Sequence, residues 1–200
     1  MSALTVISNL SLLIPATIAF KYRRIFRCFV LILETIVSSL YHLCDYSGNC
    51  LFPFQTLHNF DFSLAQLLIV LTVLYLINFE DGYEWIEWLL IFISICVIIV
   101  LQSSFSGELA VQAGVVGACA LIVVGYWLIW GVPEYHWEYF SAGIILVSAS
   151  SMFYAFQGVN PSAYWAIHSL WHVTGAMGIS FIFFIKKPAK IIQNAAFKIN

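Results

Sequence analysis

The stretch that decides the fold runs from Tyr164 to Ile185 and reads YWAIHSLWHVTGAMGISFIFFI. It is apolar and long enough to cross a lipid bilayer, which takes roughly 20 residues of helix. His168 and His172 interrupt it, and residues four apart lie on the same face of a helix. Two imidazoles at this spacing can bind one metal ion, as in helical zinc sites, or can form a buried, hydrogen-bonded pair. The pair alone leaves both interpretations open.

The composition places the whole chain in a membrane. Of its 200 residues, 62% are hydrophobic and 9% are charged, and the mean hydropathy is +0.94. Soluble domains carry about 25% charged residues, so we predict an integral, all-α membrane protein. No basic patch is interleaved with aromatic residues, which argues against nucleic acid as a partner. Residues 1–20 end in a basic cluster rather than a small-residue cleavage site, so we expect them to remain as the first span.

Seven apolar segments predict a seven-transmembrane helix bundle. The predicted spans are approximately residues 3–20, 26–44, 60–78, 85–103, 109–130, 138–157 and 163–185. The connections between them are short, so neighbouring helices should be antiparallel. We expect a single domain over residues 1–200, in which residues 185–200 form a short cytosolic tail.

The basic residues predict the orientation through the positive-inside rule. All of them follow either the first span or the last one. They are Lys21, Arg23, Arg24, Arg27, Lys186, Lys187, Lys190 and Lys198. With seven spans, these two segments lie on the same side, so we expect the N-terminus outside and the C-terminus in the cytosol. His168 and His172 then lie in the outer half of the seventh span.

The second and third spans bring further polar residues to the same depth. His42 lies near the outer end of the second span, Ser38 lies one turn deeper on the same face, and Asp61 begins the third span. Ionisable residues inside a membrane are costly and are candidates for function. Three imidazoles would leave a tetrahedral zinc ion one open position, as in catalytic zinc sites. We therefore predict a Zn²⁺ site formed by His42, His168 and His172.

Asp61 and Ser38 are the candidate catalytic residues beside this site. Zinc lowers the pKa of its water and polarises a carbonyl oxygen. Asp61 can accept a proton from that water or orient a histidine ligand. Ser38 can hydrogen-bond the developing oxyanion or the carboxylate. Each residue also has a structural alternative: Asp61 as an N-cap or first-turn carboxylate, Ser38 as a small packing residue, and His42 as an interfacial helix cap.

Two further predictions concern a cysteine pair and a buried acid. Cys44 and Cys50 flank a short outward loop, where a disulfide is permitted and would hold the helix end that carries His42. Glu34 lies two turns below His42 and either pairs with Arg27 or lines a polar cavity.

The motifs together resemble a known superfamily. A Ser-x-x-x-His pattern at Ser38 and His42, an aspartate early in the next helix, and a His-x-x-x-His pattern at His168 and His172 are similar to those of membrane-embedded metal hydrolases. That superfamily includes the alkaline ceramidases and the adiponectin/progestin receptors. The resemblance covers nearly the whole chain in span number and orientation, but only these motifs are specific.

One branch of the superfamily resembles the chain more closely, namely the branch of myomaker, a muscle-cell fusion protein, and the GPI-specific phospholipase A2. The segments YHLCD at residues 41–45 and HSLWH at residues 168–172 carry this likeness. The chain is similar in size to myomaker and lacks the large ectodomain of the phospholipase, whereas Asp61 matches the phospholipase better. Residues 186–200 contain no cysteine, so the likeness does not extend to the lipid-modified tail of vertebrate myomaker.

The resemblance implies three functions. The first is a myomaker-like multi-pass plasma-membrane protein that promotes cell–cell fusion of myoblasts. Its implied partners are membrane lipids, a second copy of the chain as a homodimer, and a small fusogenic membrane protein. The alternative is a zinc-dependent lipid hydrolase of the ceramidase or phospholipase A2 kind, acting on an ester or amide bond. The second alternative is a lipid-sensing receptor, which the short cytosolic loops argue against.

Overall fold

The structure, a computed structural model, describes residues 3–77, 79, 84–105 and 109–185. Every regular element in these ranges is a helix. The elements are α1 (Ala3–Ser8), a 3-10 turn (Asn9–Leu12), α2 (Leu13–Lys21), α3 (Ile25–Ser47), α4 (Phe54–Leu76), α5 (Glu84–Phe105), α6 (Leu109–Trp130), α7 (Trp137–Phe156) and α8 (Tyr164–Phe183). Seven segments in these ranges are long and apolar enough to span a membrane, and α1, the turn and α2 together form the first. The predicted all-α, seven-span fold is confirmed.

Three predictions stay predictions, namely the orientation in the membrane, the cytosolic tail and the connection at residues 78–84. The side of the membrane on which each terminus lies stays a prediction. Residues 186–200 of the predicted cytosolic tail, and most of the predicted connection at 78–84, lie outside the described residues.

The first span is interrupted by the 3-10 turn. Pro15 has no N–H to donate to the carbonyl of Ser11, so the α-helical ladder loses a bond at this point. The turn places the side chain of Asn9 in the interior, where it is fully buried. The Ser11 hydroxyl donates to the main-chain oxygen of His172 over 3.4 Å. The break therefore lets the first span bond directly to α8.

Helix α4 begins earlier than predicted, and this corrects one interpretation of Asp61. Pro53 occupies the N-cap position, and its carbonyl accepts hydrogen bonds from the main chain of Thr56 and Leu57 at 2.9 and 3.1 Å. The first turns contain polar residues such as His58, so hydropathy placed the start of the span at residue 60. Because the helix starts at residue 54, Asp61 lies in its interior, and its interpretation as an N-cap or first-turn carboxylate was wrong.

Glycines allow α7 and α8 to pack at very short distance. A Cβ atom at Gly143 would lie 2.7 Å from Cγ1 of Ile182. A Cβ atom at Gly178 would lie 2.7 Å from Cγ2 and 3.0 Å from the main-chain nitrogen of Val147. Both separations are too short for real carbon atoms, so only glycine permits this approach. The close packing sets the position of α8, which carries two of the histidines.

Arg27 anchors three helices at one end of the bundle. It forms an ion pair with Glu87 of α5, and its Nε donates to the main-chain oxygen of Leu71 in α4 over 3.4 Å. Its guanidinium also lies 5.4 Å from the ring centroid of Tyr75. Arg27 therefore pairs with Glu87 and not with Glu34, which lines a cavity instead. The predicted pairing with Arg27 is therefore wrong, and the cavity that Glu34 lines is mostly apolar rather than the polar cavity of the other alternative.

The predicted disulfide between Cys44 and Cys50 is present, with the two Cα atoms 4.6 Å apart. Helix α3 ends at Ser47 and is followed by Gly48, which has φ of +70°, a left-handed conformation that glycine adopts at little cost. The bridge closes the chain back onto the last turn of α3. It therefore holds the helix end next to His42.

Substituting Gly178 by alanine tests the α7–α8 packing. We expect Gly178→Ala to lower the melting temperature in detergent, because overpacking a tight contact costs about 1–3 kcal/mol. Gly117→Ala in α6 is the matched control, since its new Cβ would meet no atom within 4 Å, and alanine favours helix over glycine. Equal melting temperatures for the two variants would show that α7 and α8 do not pack this closely.

Candidate metal centre

Three histidines from two helices meet in the protein interior. His42 lies on α3, and His168 and His172 lie on successive turns of α8. Each residue is at most 6% exposed. Since α3 continues to Ser47, His42 is not a helix cap, and that alternative was wrong. The structure therefore brings together all three predicted metal ligands.

The ring nitrogens of the three histidines lie close enough to share one ion. Nε2 of His168 lies 3.0 Å from Nε2 of His42 and 3.0 Å from Nε2 of His172. The three potential ligand atoms all lie within 4.8 Å of one another. Zinc–nitrogen bonds are about 2.0–2.1 Å long, so two nitrogens that bind the same ion lie a few ångströms apart, as these three do. The cluster has the ligand number and spacing of a mononuclear metal site.

Gln157 determines which nitrogen of His168 carries the proton. Its side-chain oxygen lies 2.5 Å from Nδ1 of His168, at the C-terminal end of α7. An amide oxygen only accepts hydrogen bonds, so Nδ1–H is the donor and Nε2 of the neutral ring holds a lone pair. That lone pair points toward the other two histidines. Hydrogen bonds of this kind orient histidines that bind metals.

Sequence reasoning missed Gln157. A signal was present, because Gln157 ends the sixth predicted span and a short connection joins that span to His168. Residues on either side of such a connection share a depth in the membrane. The contact itself depends on the angle between α7 and α8, which the sequence pattern does not contain.

Ser38 and Asp61 form a second polar group next to the histidines. Ser38 is fully buried one turn from His42, and its hydroxyl donates to the side-chain oxygen of Asn9 over 3.3 Å. The carboxyl of Asp61 neighbours the Ser38 hydroxyl and is 3% exposed. Oδ1 of Asp61 has no hydrogen-bond partner among the described residues. Sequence reasoning found this pair but missed Asn9, a polar residue in an otherwise apolar span.

Aromatic rings enclose the histidine cluster. The ring centroid of Trp171 lies 4.9 Å from that of His168, and Tyr164 stacks on the same imidazole at 5.1 Å. On the α3 side, the ring of Tyr41 lies 4.8 Å from that of His42. These rings exclude water, and electrostatic interactions are stronger where the local dielectric constant is low. They also restrict the imidazoles to few orientations.

A cavity of about 460 Å³ begins at the histidine cluster. His172 forms part of its wall, and most of the remainder comes from apolar side chains of α4, α6, α7 and α8. The cavity follows α8 from His172 to Ile182, ten residues or about 15 Å of helix. At that far end, Trp127 and Phe140 line the wall, with their ring centroids 5.8 Å apart. An apolar chamber therefore opens directly onto one candidate ligand.

Fold and site together define a multi-pass membrane protein with a buried cluster of three histidines that can bind a metal ion. The chain belongs to the family described as "Protein of unknown function (DUF3522)", whose model matches residues 1–173. That match covers every predicted ligand and catalytic residue. A comparison with curated proteins finds no match, so the likeness to myomaker and the phospholipase stays a prediction.

Metal content tests the cluster directly. We expect purified protein to carry about one zinc ion per chain, and His42→Ala or His172→Ala to lose it, because a three-ligand site keeps only two ligands. Mass spectrometric metal analysis after gel filtration measures the ratio. His136→Ala is the control, since this half-exposed histidine pairs with Glu138 at 3.3 Å, away from the cluster. Loss of zinc from the control alone, or its retention in all variants, would contradict the assignment.

Proposed function

We propose that the protein is a zinc-dependent hydrolase of an ester or amide bond in a membrane lipid. One observation carries this proposal: His172 belongs both to the histidine cluster and to the wall of the apolar cavity. A hydrocarbon chain in the cavity would therefore place its polar end at the candidate metal. The cavity volume also falls within the roughly 300–1,000 Å³ of small-molecule sites.

The residues of the site fit a zinc ion. Imidazole nitrogens suit zinc better than magnesium or calcium, which prefer oxygen ligands. His42, His168 and His172 would hold the ion, and Gln157 would keep the lone pair of His168 directed at it. When bound, zinc supplies Lewis-acid chemistry, polarising a carbonyl oxygen and making water nucleophilic near neutral pH.

Asp61 and Ser38 are the proposed proton acceptor and hydrogen-bond donor of this reaction. Hydrolysis adds water across the scissile bond, releasing a fatty acid together with an alcohol or an amine. The carboxyl of Asp61 has an oxygen without a hydrogen-bond partner in the described part of the chain, so it can accept the proton from the attacking water. The hydroxyl of Ser38 lies next to it and can donate to the developing oxyanion or hold the carboxylate in place.

The other functions that the resemblance implies remain proposals. Promotion of myoblast fusion, residence in the plasma membrane, a homodimer and a fusogenic partner have no support beyond the likeness of the motifs. A hydrolase and a fusion protein are compatible, because a change in lipid composition can accompany membrane remodelling. The lipid-sensing receptor has the least support, since the connections between the described helices are short.

Release of fatty acid from a lipid panel tests the hydrolase. We expect zinc-loaded protein in nanodiscs to release fatty acid from at least one ester- or amide-linked lipid. Asp61→Asn should lower the rate by about 100-fold or more, because general-base catalysis contributes 10²–10⁴-fold, and His172→Ala should abolish release. The control His136→Ala should retain the full rate. Product formation that is equal in wild type and His172→Ala would exclude zinc-dependent hydrolysis at this site.

A further inference from the structure

Glu34 is a buried acid in the wall of the apolar cavity. It lies on α3, one turn from Ser38 and two turns from His42, and is 3% exposed. The eight residues from Glu34 to His42 correspond to about 12 Å along the helix axis. Because His172 and Glu34 line the same cavity, a ligand that reaches the candidate metal can also reach this carboxyl group.

The carboxyl group of Glu34 lacks a hydrogen-bond donor within the described part of the chain. Its Oε2 is buried without a partner. The nearest candidate cation along α3, Arg27, is engaged by Glu87. Two hydroxyls of the cavity wall cannot serve as its donor, since those of Thr72 and Ser150 already donate to main-chain carbonyls at 2.7 and 2.9 Å. The wall also contains Nε1 of Trp127, which has no partner in the described part of the chain. A buried carboxyl oxygen without a donor is destabilising, so the position is suited to a donor that arrives with a ligand.

The surroundings favour a hydroxyl group as that donor. Burying an ammonium ion requires removing a full charge from water, and the attraction to a carboxylate often fails to repay this cost. A hydroxyl group is neutral and still donates one hydrogen bond to a carboxyl oxygen. The rest of the wall is mostly apolar, which suits a hydrocarbon chain on both sides of the hydroxyl.

We propose that Glu34 is a specificity residue that accepts a hydrogen bond from a hydroxyl group on the hydrocarbon chain of the bound lipid. The preferred ligand is then a lipid that carries a hydroxyl group on its hydrocarbon chain. This hydroxyl lies about 12 Å from the end of the lipid that reaches the metal site. This inference rests on the proposed function, because it takes the cavity to be the lipid site of the hydrolase.

Competition between two matched fatty acids tests the proposal without any turnover. Stearic acid and a stearic acid with a mid-chain hydroxyl compete with a fluorescent fatty acid for the zinc-loaded, full-length protein in nanodiscs. Wild type should prefer the hydroxylated acid by about three- to tenfold, the effect of one hydrogen bond between neutral groups. Glu34→Leu should bind both acids equally, and Glu34→Gln, which keeps an acceptor oxygen, should retain a few-fold preference.

Two additional measurements separate a binding role from a structural one. In the absence of lipid, Glu34→Leu should melt at a higher temperature than wild type, because it removes a buried group without a partner. Glu138→Gln, which removes an exposed carboxylate at the start of α7, should leave the preference unchanged.

Two results would overturn the proposal, and they differ in what else they affect. If wild type binds both acids equally, or if Glu34→Leu keeps the preference, Glu34 does not select a hydroxyl, but the cavity can still hold the lipid of a hydrolase. If wild type binds neither acid, the cavity is not a lipid site and the proposed function fails as well.

Discussion

Three imidazoles lie side by side in this protein at a depth where apolar helices leave little water to solvate them. Each ring nitrogen that is buried without a partner costs roughly 1–3 kcal/mol. Because Nδ1–H of neutral His168 donates to the side-chain oxygen of Gln157, the lone pair on its Nε2 faces the Nε2 atoms of both His42 and His172. One divalent cation between the three nitrogens satisfies all of them at once, and the surrounding structure is arranged to keep these nitrogens together.

The positions of the three histidines depend on structural features that do not themselves bind an ion. The close approach of α7 and α8, which Gly143 and Gly178 make possible, holds the end of α7 and its glutamine against α8. The 3-10 turn in the first span places the side chain of Asn9 where it accepts a hydrogen bond from the hydroxyl of Ser38. The disulfide from Cys44 fixes the last turn of α3. Each feature restricts one wall of the site, so the ligands need little reorganisation to bind an ion.

The sequence was sufficient to predict the helices and the grouping of the three histidines, but not the residues that contact those histidines. Spacing placed His168 and His172 on one face, and the positive-inside rule placed His42 at the same predicted depth. The start of α4 was set too late, because polar residues after Pro53 lower the hydropathy without ending the helix. Gln157 and Asn9 were missed because their contacts depend on an interhelical angle and on a helix break, neither of which has a periodic signature. The partner of Arg27 lies on α5, a pairing that only packing decides.

X-ray absorption at the zinc edge of the purified protein tests the central claim most directly, because it measures the atoms that surround the ion. Coordination by three imidazole nitrogens at about 2.0–2.1 Å, with one further oxygen, is the result that the structure predicts. Replacement of His168 by alanine should remove one nitrogen from that shell. A shell made of oxygen atoms alone, or one that contains sulfur, would contradict a metal centre formed by His42, His168 and His172.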